Sequence, residues 1–201
     1  VIVNSPDKNI LENCDIIMLG GSGDYSIVEN NIPWYNPLAD FMCEAIDKNV
    51  PIFGSCMGIQ VIANALGGEV ILDNKHREVG TYSITLNEEG HQDPLFSKLP
   101  KTFLAQMGHK CRVNILPEDA VSLASSDLCP VHAFKLKNKM VYATQFHPEL
   151  NYHDNVKRLK YYYQNYHHAS QDESLEEMLM KFKEDNTNST LLSDFIMLVA
   201  G

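Results

Sequence analysis

The amino-acid sequence predicts an α/β fold in which a mostly parallel central sheet is flanked by helices. Short apolar runs typical of strands alternate with stretches whose apolar residues recur at helical spacing. Glycine-rich turns follow one such strand at Gly20 and one such helix at Gly67. In a sheet of this kind we expect functional groups at the carboxyl ends of the strands.

The first part of the chain supplies the parallel part of the predicted sheet. Its elements are a strand at 1–3, a strand ending at Leu19, a helix over about 37–48, a central strand at 51–54 and a helix over 57–66. The first helix has an apolar face formed by Leu38, Phe41, Met42, Ala45 and Ile46. The second helix is expected to end at Gly67-Gly68, since glycine readily adopts the left-handed conformation that stops helices.

The second part of the chain predicts antiparallel strands followed by helices. Residues 69–86 and 111–144 alternate apolar and polar positions, which indicates a strand-rich antiparallel segment beside the parallel sheet. Three apolar stripes at helical spacing then predict three C-terminal helices. The stripes comprise Val156, Leu159, Tyr163 and Tyr166; Leu175, Met178, Leu179 and Phe182; and Leu191, Leu192, Phe195, Ile196 and Val199. A capping box is predicted at 170–173, opening the second of these helices.

Cys56 stands where enzymes often present a nucleophile. It lies between a strand and a helix in the segment Gly54-Ser55-Cys56-Met57-Gly58. The glycines permit a sharp turn and leave room around the thiol. The positive end of the following helix favours the thiolate. The alternative is a simple packing role, because free cysteines are often buried in the core.

A second segment, Gln145-Phe146-His147-Pro148-Glu149, favours the catalytic interpretation. His147 can serve as a base, and Glu149 can hold its tautomer and orientation. A third segment, Gly20-Gly21-Ser22-Gly23, follows an apolar strand and can turn backbone N–H groups toward a developing oxyanion. The alternative for this loop is an ordinary turn at the end of a strand.

Together, these segments resemble the class I glutamine amidotransferases, in which G-x-C-x-G-x-Q and Q-F-H-P-E motifs hold a Cys-His-Glu triad. Three further segments occur in the order expected for the family: Leu66-Gly67-Gly68, Arg77-Glu78-Val79-Gly80 and Met107-Gly108-His109-Lys110. The resemblance covers roughly residues 10–150. The last two segments favour the GMP-synthase-like branch that occurs without an attached synthetase. The family fold is a three-layer, flavodoxin-like arrangement with a small antiparallel sheet.

The resemblance also implies roles for individual residues. Cys56 would attack the side-chain amide of glutamine and form a γ-glutamyl thioester, with ammonia and then glutamate released. His147 would act as acid and base, and Glu149 would orient it. The N–H groups of Gly21 and Met57 would form the oxyanion hole. Substrate-binding positions would be Gly20, Ser22, Gly58 and Gln60, the last having a surface helix position as its alternative. The reaction requires neither a cofactor nor a metal.

Domain organisation follows from the same comparison. Residues 1–150 form the expected amidotransferase domain, and residues 151–201 a C-terminal helical extension that packs on the same domain. Family members begin with a strand and a helix ahead of the part that matches Val1. We therefore expect a further N-terminal segment. The extension could alternatively provide a docking surface for a synthase subunit or a second copy of the chain.

Composition excludes several other classes of function. The formal net charge of −10 argues against a nucleic-acid partner. Lys157, Arg158 and Lys160 form only a small patch that we expect to be solvated. The five cysteines include no C-x-x-C pair, which argues against a zinc site or a disulfide framework and fits a reducing cytoplasm. The sequence contains no apolar run long enough to span a membrane.

Three functional hypotheses therefore follow from the sequence. The first is a glutamine amidotransferase that hydrolyses glutamine and supplies ammonia to a separate synthase or synthetase subunit. The second is a γ-glutamyl peptide hydrolase that uses the same triad with an amine leaving group. The third is a non-catalytic binding or regulatory module. The sequence leaves the ammonia acceptor and the oligomeric state open.

Overall fold

The computed structural model of the protein describes residues 8–23, 25–28, 32–168 and 173–201, without the side chains of Lys8 and residues 164–168. The strand predicted at 1–3 lies outside the described residues. None of the helices in the described ranges is both long and apolar enough to cross a membrane.

A seven-stranded sheet runs through the centre of the described residues, with elements numbered in chain order. Its parallel part comprises β1 (Ile17–Leu19), β2 (Ile52–Ser55) and β9 (Val141–Thr144), with β2 between the other two. The sheet continues by antiparallel pairing through β8 (Ala133–Leu136), β7 (Ala120–Ser125), β4 (Glu78–Leu86) and β5 (Thr102–His109). A separate antiparallel pair consists of β3 (Glu69–Leu72) and β6 (Cys111–Ile115). Much of the predicted antiparallel segment is thus continuous with the central sheet.

Helices cover both faces of this sheet. They are α1 (Tyr35–Asp47), α2 (Met57–Ala65), α3 (Glu88–Gln92), α4 (Tyr152–His168), α5 (Leu175–Leu179) and α6 (Leu191–Ala200). Neighbouring residues of β2 enter different cores, because successive side chains of a strand point to opposite faces. Ile52 packs in the core that contains the buried residues of α1 and α2. Phe53 packs in the other core against Phe195 of α6, with ring centroids 5.4 Å apart. The predicted three-layer α/β fold is confirmed.

The C-terminal helices follow the three predicted apolar stripes. In α4 and just after α5, Leu159 and Phe182 are buried in a small cluster with Val79 of β4. The capping box that opens α5 is formed by Ser174 and Glu177, with the Ser174 hydroxyl accepting from the Glu177 N–H. The prediction of a box at 170–173 was therefore one turn too early, and residues 170–172 themselves lie outside the described residues. The Tyr166 side chain also lies outside them.

Candidate active site

Cys56 occupies a strained turn between β2 and α2. Its backbone has φ 54° and ψ −104°, which is unusual for a residue with a side chain. Its N–H donates to the carbonyl of Thr144 at 2.8 Å, which ties the turn to β9. A Cβ on Gly58 would lie 2.2 Å from the carbonyl oxygen of Leu19. Glycine is therefore required where α2 passes β1, and this close approach sets the position of the thiol.

His147 lies just beyond β9, beside Cys56, and is 2% exposed. Its backbone N–H donates to the carbonyl of Gln106 at 3.0 Å. Its Nδ1 lies 2.6 Å from Oε1 of Glu149, which also accepts from the Ser55 hydroxyl at 3.2 Å. Because a carboxylate can only accept, Nδ1 carries the proton and Nε2 remains for the thiol. The buried Nε2 has no hydrogen bond of ordinary geometry among the described residues, so charge attraction dominates its interaction with Cys56.

The electrostatics of the site favour a thiolate beside an imidazolium. Burial alone would raise the pKa of Cys56, but the nearby charge of His147 lowers it to about 7. Burial alone would lower the pKa of His147, but the Cys56 thiolate and Glu149 raise it to about 9. Burial opposes the charge of Glu149, yet His147 and Ser55 hold the pKa of that carboxyl below its usual value. A thiol with a pKa of about 7 is partly ionised at neutral pH, and the thiolate is the form that acts as a nucleophile.

The glycine loop after β1 borders this pair. A Cβ on Gly21 would lie 3.2 Å from Cε1 of His147 and 3.7 Å from Sγ of Cys56. A Cβ on Gly20 would have no heavy atom within 4 Å. Ser22 donates its hydroxyl to the carbonyl of Tyr25 at 2.6 Å. Met57 is the first residue of α2, so its N–H has no acceptor within the helix.

A cleft opens beside Cys56, which is one of its lining residues. Its lining includes Ser22, Met57 and Gln60 among the predicted site residues. Gln60 is 5% exposed and donates through Nε2 to the carbonyl of Cys111 at 2.9 Å, so its alternative as a surface residue is wrong. Gly58 does not line the cleft. Its close contact with Leu19 gives a packing reason for glycine at this position.

Arg158 was missed from the sequence as a residue of this site. It was expected in a solvated patch, but it lines the cleft from α4 and donates through Nη2 to the carbonyl of Gly108 at 3.1 Å. Its guanidinium carbon lies 6.0 Å from the centre of the Tyr162 ring. The charge of Arg158 also helps to lower the pKa of Cys56. Its neighbours Lys157 and Lys160 are exposed.

The chain is similar to known proteins over much of its length. The family model described as glutamine amidotransferase class-I matches residues 1–177. A glutamine-hydrolyzing GMP synthase subunit of Methanocaldococcus jannaschii is 41% identical over 106 residues, which are 53% of this chain and 54% of that protein. The chain thus spans about half the length of that relative. The corresponding GMP synthase subunit of Methanococcus aeolicus is 36% identical over 158 residues, 77% of each chain.

The fold also has a solved counterpart. A glutamine amidotransferase from Thermotoga maritima superposes with a TM-score of 0.72 at 21% identity, covering 94% of this chain and 79% of the other. At that identity, the likeness concerns the fold.

Proposed function

The chain belongs to the class I glutamine amidotransferases, and we propose that Cys56 hydrolyses the side-chain amide of glutamine. The observation that carries this proposal is the arrangement at the strand ends. The strained turn at Cys56 brings a thiol with a lowered pKa beside a buried histidine. That histidine is in turn held by Glu149 at 2.6 Å. Nucleophile, base and orienting carboxylate are the parts that thiol acyl transfer needs.

The reaction proceeds in two halves. The Cys56 thiolate attacks the amide carbon and forms a C–S bond, which gives a tetrahedral oxyanion. As the C–N bond breaks, Nε2 of the His147 imidazolium gives its proton to the leaving ammonia. His147, now neutral, takes a proton from water, and the resulting hydroxide attacks the γ-glutamyl thioester. The C–S bond breaks, glutamate leaves, and the thiolate and imidazolium are restored.

Backbone groups stabilise the oxyanion in this proposal. The N–H of Met57 lies at the start of α2, where the helix dipole adds positive potential. The N–H of Gly21 is the second donor, which is supported by the closeness of Gly21 to both Sγ of Cys56 and the His147 ring. Gln60, Ser22 and Gly20 remain candidate substrate contacts. Gln60 and Ser22 have the stronger support, since they line the cleft.

The ammonia would pass to a separate synthetase subunit. This part of the proposal is supported by the names of the relatives, which are glutamine-hydrolyzing subunits of GMP synthase. We propose a GMP-synthase-type partner on that ground, with a cytoplasmic location to match. Residues 1–150 would act as the amidotransferase domain and residues 151–201 as an extension packed on it, which is supported by the insertion of Phe195 and Leu191 into the core.

The test is release of glutamate from glutamine by the wild type and by Cys56→Ala. Cys43→Ala is the matched control, because Cys43 lies on α1, outside the cleft lining. We expect turnover to be lost in Cys56→Ala and retained in Cys43→Ala. Turnover that persists in Cys56→Ala would refute the proposed nucleophile.

The same assay with γ-glutamyl dipeptides tests the leaving group. We expect glutamine to be preferred, and turnover to rise when a GMP-synthase-type synthetase subunit is added. Dipeptide turnover well above that of glutamine would assign the protein to the γ-glutamyl hydrolases instead. Slow alkylation of Cys56 together with no turnover of either substrate would favour the non-catalytic alternative.

A further inference from the structure

A buried group of three titratable side chains lies next to the cleft and has no part in the reaction described above. Glu78 of β4 and His109 of β5 are directly paired across the sheet, and His132 lies just before β8. They are 0%, 5% and 0% exposed, respectively. His109 also lines the cleft that contains Cys56. Burying charged groups is costly, so the protonation states of this group require an explanation.

The hydrogen bonds of His109 determine its protonation state. Its Nδ1 lies 3.1 Å from the carbonyl oxygen of Cys111, and its Nε2 lies 2.9 Å from Oε2 of Glu78. A carbonyl and a carboxylate can only accept, so both ring nitrogens must donate. His109 is therefore an imidazolium. Its partner is a carboxylate: burial opposes the charge of Glu78, but bonds from His109 and His132 outweigh it and lower the pKa of that carboxyl to about 2.

His132 is the neutral member of the group. Its Nε2 lies 3.1 Å from Oε2 of Glu78, where it can donate. Its Nδ1 is buried with no hydrogen-bond partner among the described residues, and an N–H there would be costly. Burial lowers the pKa of His132, although Glu78 acts in the opposite direction. The Ser126 hydroxyl donates to the other oxygen of Glu78 at 3.1 Å. The positive charge of the group therefore resides on His109, the member at the cleft.

Two links join His109 to the reaction. The carbonyl of Cys111 accepts from His109 and also from Nε2 of Gln60 at 2.9 Å. Gln60 lies one helical turn beyond Cys56 on α2. In addition, the charge of His109 acts on Cys56 and favours its thiolate. Arg158 is a second cation that faces the same thiol.

We propose that His109 is a positioning residue that carries a fixed positive charge beside Cys56 and orients Gln60 through the carbonyl of Cys111. Glu78 keeps the charge in place, and His132 and Ser126 complete the bonding of the carboxylate. The inference deepens the proposed function, since it rests on Cys56 being the nucleophile. It assigns roles to four side chains from three separate segments of the chain, at residue 78, at residue 109 and at residues 126 and 132.

The first test measures the pH dependence of Cys56 alkylation by iodoacetamide in the full chain. His109→Gln removes the cation but leaves the buried Glu78 carboxylate, so we expect the thiol pKa to rise by about half to one unit. Alkylation at a pH below that pKa should then slow by roughly three- to tenfold. The double variant Glu78→Gln/His109→Gln removes both charges, so it should reverse only the part of the shift that comes from the unpaired Glu78 carboxylate and should keep the thiol pKa above the wild-type value. If these side chains served only in packing, the thiol pKa of the double variant would instead depart further from the wild-type value than that of His109→Gln.

Lys157→Gln is the matched control, since it removes a positive charge from the exposed side of α4. It should leave the thiol pKa unchanged. An unchanged thiol pKa in His109→Gln would overturn the proposal. Alkylation does not require glutamine turnover, so this result is independent of whether the proposed hydrolysis is correct.

The second test uses the unmodified protein and thus avoids any variant that fails to fold. Nitrogen NMR of the His109 ring should show both nitrogens protonated at neutral pH, as the carbonyl of Cys111 and the carboxylate of Glu78 require. A ring nitrogen without a proton at neutral pH would overturn the proposal.

A metal site is the alternative for this group. Glu78, His109 and His132 each offer one possible metal-ligand atom, and these atoms lie within 4.8 Å of one another, a spacing that could hold a metal ion. Stoichiometric zinc in the purified protein, lost on Glu78→Gln, would likewise overturn the proposal.

Discussion

Replacing Gly21 with alanine should lower turnover by displacing the His147 ring. The added Cβ would lie 3.2 Å from Cε1 of His147, whereas carbon atoms ordinarily meet at about 3.5–4.0 Å. The ring must therefore move by a few tenths of an ångström. It is not free to turn away, because its Nδ1 is held by Glu149 at 2.6 Å and its backbone by Gln106 at 3.0 Å.

The size of the effect follows from this displacement. A misplacement of about 1 Å in an active site can cost about 100-fold in rate, so a few tenths of an ångström correspond to a loss of roughly five- to tenfold. Contacts of 3.6 and 3.7 Å to Cβ and Sγ of Cys56 are ordinary ones, so the thiol itself should stay in place. Gly21 is exposed and has no positive φ, so alanine should cost less than about 1 kcal/mol in stability.

The assay is kcat for glutamate release, with thermal unfolding measured in parallel. Lys160→Ala is the control, since Lys160 is exposed on α4 and lies outside the cleft lining. We expect Lys160→Ala to keep the kcat and Tm of the wild type. Equal losses in both variants, or full activity in Gly21→Ala, would refute the reasoning about His147.

Three further predictions follow from the site. Glu149→Gln removes the anion that helps to raise the pKa of His147, so kcat should fall by about 100-fold or more while the protein stays folded, as kinetics and circular dichroism would show. Gly58→Ala places a Cβ 2.2 Å from the Leu19 carbonyl oxygen; this overpacking should cost about 1–3 kcal/mol or more, and Tm in a thermal melt should fall by roughly 3–10 °C. The pH–rate profile should rise through about 7, where Cys56 becomes a thiolate, and fall above about 9, where His147 loses the proton that it gives to ammonia. A rate that stays constant from well below pH 7 to well above pH 9 would contradict the thiolate–imidazolium pair.

The parts of the site that lie within short motifs could be predicted from the sequence. The turn that holds Cys56 depends on two nearby glycines, and the pairing of His147 with Glu149 needs only two residues of separation. The apolar stripes of the C-terminal helices were also evident, because helical periodicity is a local property.

Residues brought together by strand register and helix tilt could not be predicted in this way. Glu78 and His109 meet because β4 and β5 pair in one particular register, and His132 joins them from a third part of the chain. Arg158 lies in a polar stretch of α4, and periodicity alone does not show that this side turns to the cleft. The family resemblance implied substrate binding for Gly58, whereas the structure places Gly58 against the Leu19 carbonyl. That contact depends on how closely α2 approaches β1, which the sequence does not show.

The covalent intermediate proposed on Cys56 is tested most directly by the mass of the Cys56 peptide from protein quenched in acid during glutamine turnover. We expect a fraction of this peptide to carry one γ-glutamyl group, and we expect blocking of Cys56 with iodoacetamide to abolish both the adduct and glutamate release. A γ-glutamyl group on another residue, or glutamate release that continues after Cys56 is blocked, would show that Cys56 is not the nucleophile.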